Sequence, residues 1–294
     1  MAQAEPIAAS PTAAGAPFIR TPLRDVAAWV DAFDQREMPV LAATADMLEA
    51  WRTHEDAADA HGLADSMAAD PLMTLKLLRH VAALRRGRGR DQGEGEAETA
   101  TEALVMLGIT PFFRDFGPQP TVERRLADQP EALAGLHQVL TRAHRAARFA
   151  LGFAVHRGDR DAALIHEAAL LHDFAEMLLW AHAPALALDL ARWQRAEPGL
   201  RSVEAQRTLL HVALSDLQQA LMKIWRLPPL LVRISDDRAS HLVQVRNVQL
   251  AIRVARHSAQ GWDNPALPDD VDEIATLLNL AIEPTLHLLH DLDQ

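Results

Sequence analysis

An all-helical fold follows from three features of this chain. Apolar residues make up 49% of its 294 residues, and Ala and Leu lead that set while Tyr is absent. Val and Ile rarely alternate with polar residues, so the period-two signature of strands is missing. Apolar positions recur instead at three- and four-residue spacing, as in Leu164, Ala168, Leu171, Ala175 and Leu178, which places them on one helical stripe.

The elements are expected in the following order. Residues 1–20 are rich in Ala and Pro without periodicity and read as a disordered tail. Helical patterning starts at Thr21-Pro22-Leu23, with Thr21 as cap and Pro22 in the first turn. Asp70-Pro71 opens a further helix with Asp as cap and Pro at the first helical position. The stretch RRGRGRDQGEGEAE, Arg85 to Glu98, sets four arginines beside acidic residues that compete for them. A solvated loop is the reading this supports. Thr99 or Thr101 caps the next helix, which Gly108 ends. Pro118, Pro120 and Pro130 mark a connector between a helical lobe over 21–130 and a second over 131–294. That second lobe contains LAGLHQVLTRAHRAARFALGFAVH, a helix through His172-Asp173, then APALALDLARWQR and VEAQRTLLHVALSDLQQALMKIW. Pro228-Pro229 stops the last of these, LVQVRNVQLAIRVARHSAQ follows, and Asp269 or Asp270 caps DDVDEIATLLNL. Glu283-Pro284 opens a final short helix.

Composition narrows the function. With no cysteine, thiolate nucleophiles, thiolate zinc sites and disulfides are excluded, in keeping with a reducing cytoplasm. Apolar runs fall short of the roughly 18–20 residues that span a bilayer, and the N-terminus lacks the basic and apolar regions of a secretory signal. The formal net charge of −11 opposes nonspecific nucleic-acid binding, which draws on clustered positive charge.

The most informative residues are His172 and Asp173, an adjacent polar pair inside the apolar-periodic stretch IHEAALLHDFAEMLLW. Buried polar groups need partners, and either a divalent metal or hydrogen bonds from a neighbouring helix would serve. Glu176, one turn on from His172, is read as a surface charge. Trp180, Trp193, Trp225 and Trp262 are read as packing residues.

The pair and its flanks resemble the HD superfamily and, more closely, its HDOD branch. The resemblance runs over roughly residues 33–290: MPVLAATADML, LADSMAADPLMTLKLLRHVAA, EALVMLGITPFFRDF, the HD dyad, LMKIWRLPPLL and the GWDNPALPDD tail stand in the family's order. It implies a multi-helical HD-like lobe packed with a smaller N-terminal lobe. In active HD phosphohydrolases an earlier His, the dyad and a later Asp hold metals that activate water, and here those positions fall to His144, His172, Asp173, and Asp236 or Asp237. Three departures stand against activity: Leu214 where HDOD proteins carry a His eleven residues before the signature Trp, Asp236-Asp237 where they carry His-His, and Ala82-Ala83 for an Asn-Ser. His211 lies three residues from the Leu214 position.

The resemblance therefore implies a non-enzymatic bacterial signalling module, a stand-alone adaptor acting through a protein partner or a sensed signal. No cofactor, nucleic acid or membrane is expected, and a small-molecule nucleotide signal is compatible. The alternative is a metal-dependent phosphohydrolase acting on a nucleotide or cyclic dinucleotide.

Overall fold

A computed structural model describes residues 16–54, 59–87, 97–197 and 199–294. The first part of the chain forms α1 (Val26–Asp34), α2 (Ala42–Arg52), α3 (Ala60–Met67), α4 (Pro71–Gly87), α5 (Ala100–Leu107), α6 (Ile109–Asp115) and α7 (Val122–Arg125). The second forms α8 (Pro130–Arg157), α9 (Ala162–Leu171), α10 (Phe174–His182), α11 (Pro184–Ala196), α12 (Ser202–Leu210) and α13 (Leu214–Ile224). It closes with α14 (Pro229–Ile234), α15 (Val243–His257), α16 (Leu267–Leu278) and α17 (Ile282–Leu292). The fold is all-α, with no strand among the described residues; one isolated parallel bridge joins Val40 to Thr121.

The axis of the second lobe is α8, whose 28 residues span about 42 Å at helical rise. α9, α10, α11, α15, α16 and α17 all pack on it. Two glycines let neighbours come close: a Cβ at Gly135 would fall on the Trp180 ring, and one at Gly152 on the Leu292 side chain. Among the described residues no single helix is long and apolar enough to cross a membrane. The most apolar stretch, Ala162–His182 with Pro184–Ala196, is bent by 118° and largely buried.

The helices before residue 130 pack directly on those after it. α1 packs on α13, and the Trp29 Nε1–H donates 3.0 Å to the Leu210 carbonyl, satisfying the C-terminal end of α12. The Trp225 Nε1–H donates 2.7 Å to Asp34 Oδ1, while the Arg79 guanidinium stacks 4.8 Å from the Trp225 ring and also bonds Asp34. Trp225 is core by burial, but it is also the knot tying α1 and α4 to α13.

Several expected boundaries move. Of the tail at 1–20, residues 1–15 lie outside the described residues, whereas 16–20 are docked. Ile19 is buried and its N–H donates 2.8 Å to the His182 carbonyl, and the Phe18 ring lies under Arg125. The first helix begins at Val26, capped by Asp25 through Ala28 N–H at 2.9 Å, and not at Thr21-Pro22. The expected single helix from 203 to 225 is two. Leu210, Val212, Ala213 and Leu214 are all buried across the break. The chain turns at His211, which is left-handed at φ 64°. α16 starts at Leu267, ahead of the expected Asp269 or Asp270 cap, which frees Asp270 to be buried against His257 and Arg253. The Asp70-Pro71 and Thr99/Gly108 signals hold as read. In the Arg85–Glu98 stretch α4 extends through Gly87, and residues 88–96 lie outside the described residues.

Candidate functional site

The dyad does not continue a helix. α9 ends at Leu171 and α10 starts at Phe174, with His172 and Asp173 in the tight turn between them. The turn is closed by three-residue hydrogen bonds, His172 N–H to the Ala169 carbonyl at 3.4 Å and Glu176 N–H to the Asp173 carbonyl at 3.0 Å. Asp173 does not cap α10 with its side chain, because that carboxylate is claimed from the other side.

Its partners are two arginines. Arg142 of α8 grips Asp173 Oδ2 through Nε at 3.0 Å and Nη2 at 2.8 Å, and the same Nη2 donates 2.7 Å to Glu176 Oε2. Arg256 of α15 donates from Nη2 to Asp173 Oδ1 at 2.8 Å. The His172 ring completes the cluster, with Nδ1 3.1 Å from Asp173 Oδ1 and Nε2 3.2 Å from Asp237 Oδ1. Gln249 of α15 fixes Asp237 by donating 2.8 Å to its backbone carbonyl. α8, α15 and the α9–α10 turn thus converge on one carboxylate that is 10% exposed.

Electrostatics follow from this packing. Burial opposes ionisation of Asp173, yet Arg256, Arg142 and His172 together hold it well below the usual carboxylate range. Burial likewise works against a charged His172, but Asp173 and Asp237 outweigh it and push its pKa up to about 9. Asp237 is lowered: burial acts against it, and the contact with His172 prevails. The resting state is an imidazolium between two carboxylates, with both ring N–H groups donating.

The structure brings His172, Asp173 and Asp237 together and leaves His144 and Asp236 with other work. His144 is two residues beyond Arg142, about 200° round the helix, so it faces away. Burial lowers its pKa, and the neighbours that perturb it are Ala69, Asp70 and Arg148. Asp236 accepts 3.1 Å from the Arg238 N–H and caps the short 3-10 turn Asp237–Ala239. His211 bonds the Leu23 carbonyl at 3.1 Å, while Leu214 itself lines a cavity of about 310 Å³ beside the dyad. Glu176, expected as a surface charge, belongs to the cluster through Arg142.

These residues do not fit a catalytic metal. A carboxylate gripped by two guanidiniums already has its countercharge, and both oxygens of Asp173 are so occupied. Among the described residues no group of three or more His, Asp or Glu is gathered in a way that could hold an ion.

Sequence reading missed Arg142 and Arg256, although each left a signal. Arg142 lies one turn before Ala146 and two before Phe149, both buried, and Arg256 lies one turn after buried Ile252. A charged residue on an apolar stripe requires a buried partner of opposite sign.

The chain matches the HDOD domain family over residues 38–239. Among solved structures it is similar to the MmoQ response regulator of Methylococcus capsulatus, at 19% identity and a TM-score of 0.63, with 86% of this chain and 98% of that one covered. It is also similar to a virulence factor of Campylobacter jejuni, at 16% identity and a TM-score of 0.59, with 91% and 98% covered. At these identities the likeness is one of fold. No curated protein matches the chain.

Proposed function

The chain belongs to the HDOD family, and from that premise we propose that it is a non-catalytic signalling module of the bacterial cytoplasm, acting through protein contacts. One observation carries the reading: Asp173, the carboxylate of the dyad, is held by Arg142 and Arg256. Two fixed cations stand where an HD phosphohydrolase would need open ligand positions. For the hydrolase reading to hold, both arginines would have to release Asp173, His172 would have to lose a proton held up to about pH 9, and a further ligand would have to replace the diverted His144. No cofactor is needed for the role proposed.

The cluster instead supplies rigidity. It locks α8, the α9–α10 turn and α15 into one body, a firm base for surface recognition. Val105 and Met106 of α5, about half exposed at 53% and 49%, offer apolar contact.

Elemental analysis of protein purified without chelator and then offered Fe, Mn and Zn tests the reading. Well under one ion per chain is expected. About one ion per chain, lost in His172→Ala, would overturn it.

A further inference from the structure

A second cavity, of about 600 Å³, opens on the other side of His172. Its wall is one face of α15: Arg246, Gln249, Leu250, Arg253 and Arg256 fall at helical spacings of three, four, seven and ten. His172 closes one end, and Asp237 and Glu273 complete the charged lining. Three guanidiniums thus face Asp237 and Glu273 across the cavity, with Asp270 and Asp173 standing behind Arg253 and Arg256.

The arginines are aimed from behind. Buried Asp270 takes Arg253 Nη2 at 2.6 Å, and Asp173 takes Arg256 Nη2 at 2.8 Å. Glu273 is shared, 2.8 Å from Arg253 Nη1 but a loose 3.9 Å from Arg246. Each arginine side chain remains 40–45% exposed, and a guanidinium carries five N–H donors, more than these pairings use. A preordered fork of this kind suits phosphate oxygens, which it can grip two at a time. The volume is in the range of small-molecule sites, and Leu250 and Ile252 are the apolar residues of its lining.

We propose that this cavity binds a small organic phosphate, its phosphate groups held by Arg246, Arg253 and Arg256 and its organic body within the remaining volume. The ligand reads the same Arg256 that holds Asp173, so occupancy is transmitted to the dyad cluster. The proposal rests on the non-catalytic reading only in that the ligand is held and not turned over.

Titration calorimetry in EDTA with ATP, inorganic pyrophosphate and adenosine separates the possibilities. ATP and pyrophosphate should bind and adenosine should not. Arg246→Gln should weaken ATP by about tenfold, about 1.4 kcal/mol, and Arg253→Gln by at least as much. Arg192→Gln, at an exposed position of α11, should bind as wild type. A melting curve on each variant confirms that it is folded. No binding of either phosphate up to about 1 mM, equal binding of adenosine, or an unaffected Arg246→Gln would overturn the site. Pyrophosphate binding without ATP would overturn the organic body. Phosphate release from ATP when manganese is supplied would sink the non-catalytic reading and leave the anion site standing, whereas absent binding does the reverse.

Discussion

Two buried aspartates at motif positions, Asp70 and Asp173, respond oppositely to burial. Asp70 is fully buried and accepts from neutral donors, the backbone N–H groups of Leu72 at 2.9 Å and Met73 at 3.1 Å on Oδ1 and of Leu41 at 2.7 Å on Oδ2, together with the Thr44 side chain. Desolvation wins there, and its pKa is raised. Asp173 meets two guanidiniums and an imidazolium, and its pKa is driven well down. Neutral dipoles stabilise a buried carboxylate less than full charges do. Glu167 extends the series: with one backbone donor, Ala100 N–H at 2.8 Å, burial pushes it up to about 8. What a buried acid does is therefore set by its partners. Asp70 joins a helix start to a passing strand of chain, while Asp173 gathers charge into a site.

The sharpest way to break this contrast is to remove each side chain. Asp173→Ala takes the carboxylate from Arg256 and leaves Arg142 only Glu176 and His172 only Asp237, and breaking such a buried network costs about 3–5 kcal/mol. The lower end is expected, since Arg256 is 45% exposed and water will screen it. Asp173→Asn should recover less than half of that, because a neutral amide cannot balance three cationic neighbours. Urea melts at pH 7 measure both, and an Asn variant as stable as wild type would show that charge is not what holds the cluster.

Asp70→Ala should cost less, about 2 kcal/mol, the sum of a lost helix cap and a stranded Leu41 N–H. Asp70→Asn keeps an oxygen for the α4 cap and should recover most of it. The ratio of Asn rescue at the two sites is the decisive quantity: high at 70, low at 173. Equal rescue would erase the difference drawn from their pKa directions.

How far these sites could be read in advance depended on range. The Asp70 cap is local, spelled by Asp-Pro and a following apolar run, and it was legible. The link from Asp70 to Leu41 spans 29 residues and was not. The dyad was conspicuous because polar neighbours interrupted an apolar stripe, yet its partners come from α8 and α15, 31 and 83 residues away. Periodicity placed His144 on the right helix but could not say which face met the dyad; the two-residue offset gave that place to Arg142. The break at His172-Asp173 was hidden for a related reason. Local pattern favours a continuous helix, and the tight turn goes with long-range ion pairs. The all-helical class needed no such information, since it rests on a period repeated along the chain.

The smallest effect concerns the outer half of the cluster, where Asp237 is 45% exposed on its side chain. His172 has a folded pKa of about 9 against an ordinary 6.5. A base raised on folding adds stability that is complete below pH 6.5 and is lost as pH rises through about 9. Stability should therefore fall across that window, by about 1 kcal/mol after allowance for screening at the exposed partner. Asp237→Asn removes one of the two anions holding the proton. At pH 6 it should cost only about 0.5 kcal/mol, as for an exposed ion pair, but the loss on raising pH should begin earlier because the His172 pKa drops. Histidine ring NMR titration of wild type and Asp237→Asn reports the two midpoints directly. A wild-type midpoint near 6.5, or one unmoved by Asp237→Asn, would mean that His172 is not clamped between the carboxylates. Charge saturation would then have to be carried by Arg142 and Arg256 alone.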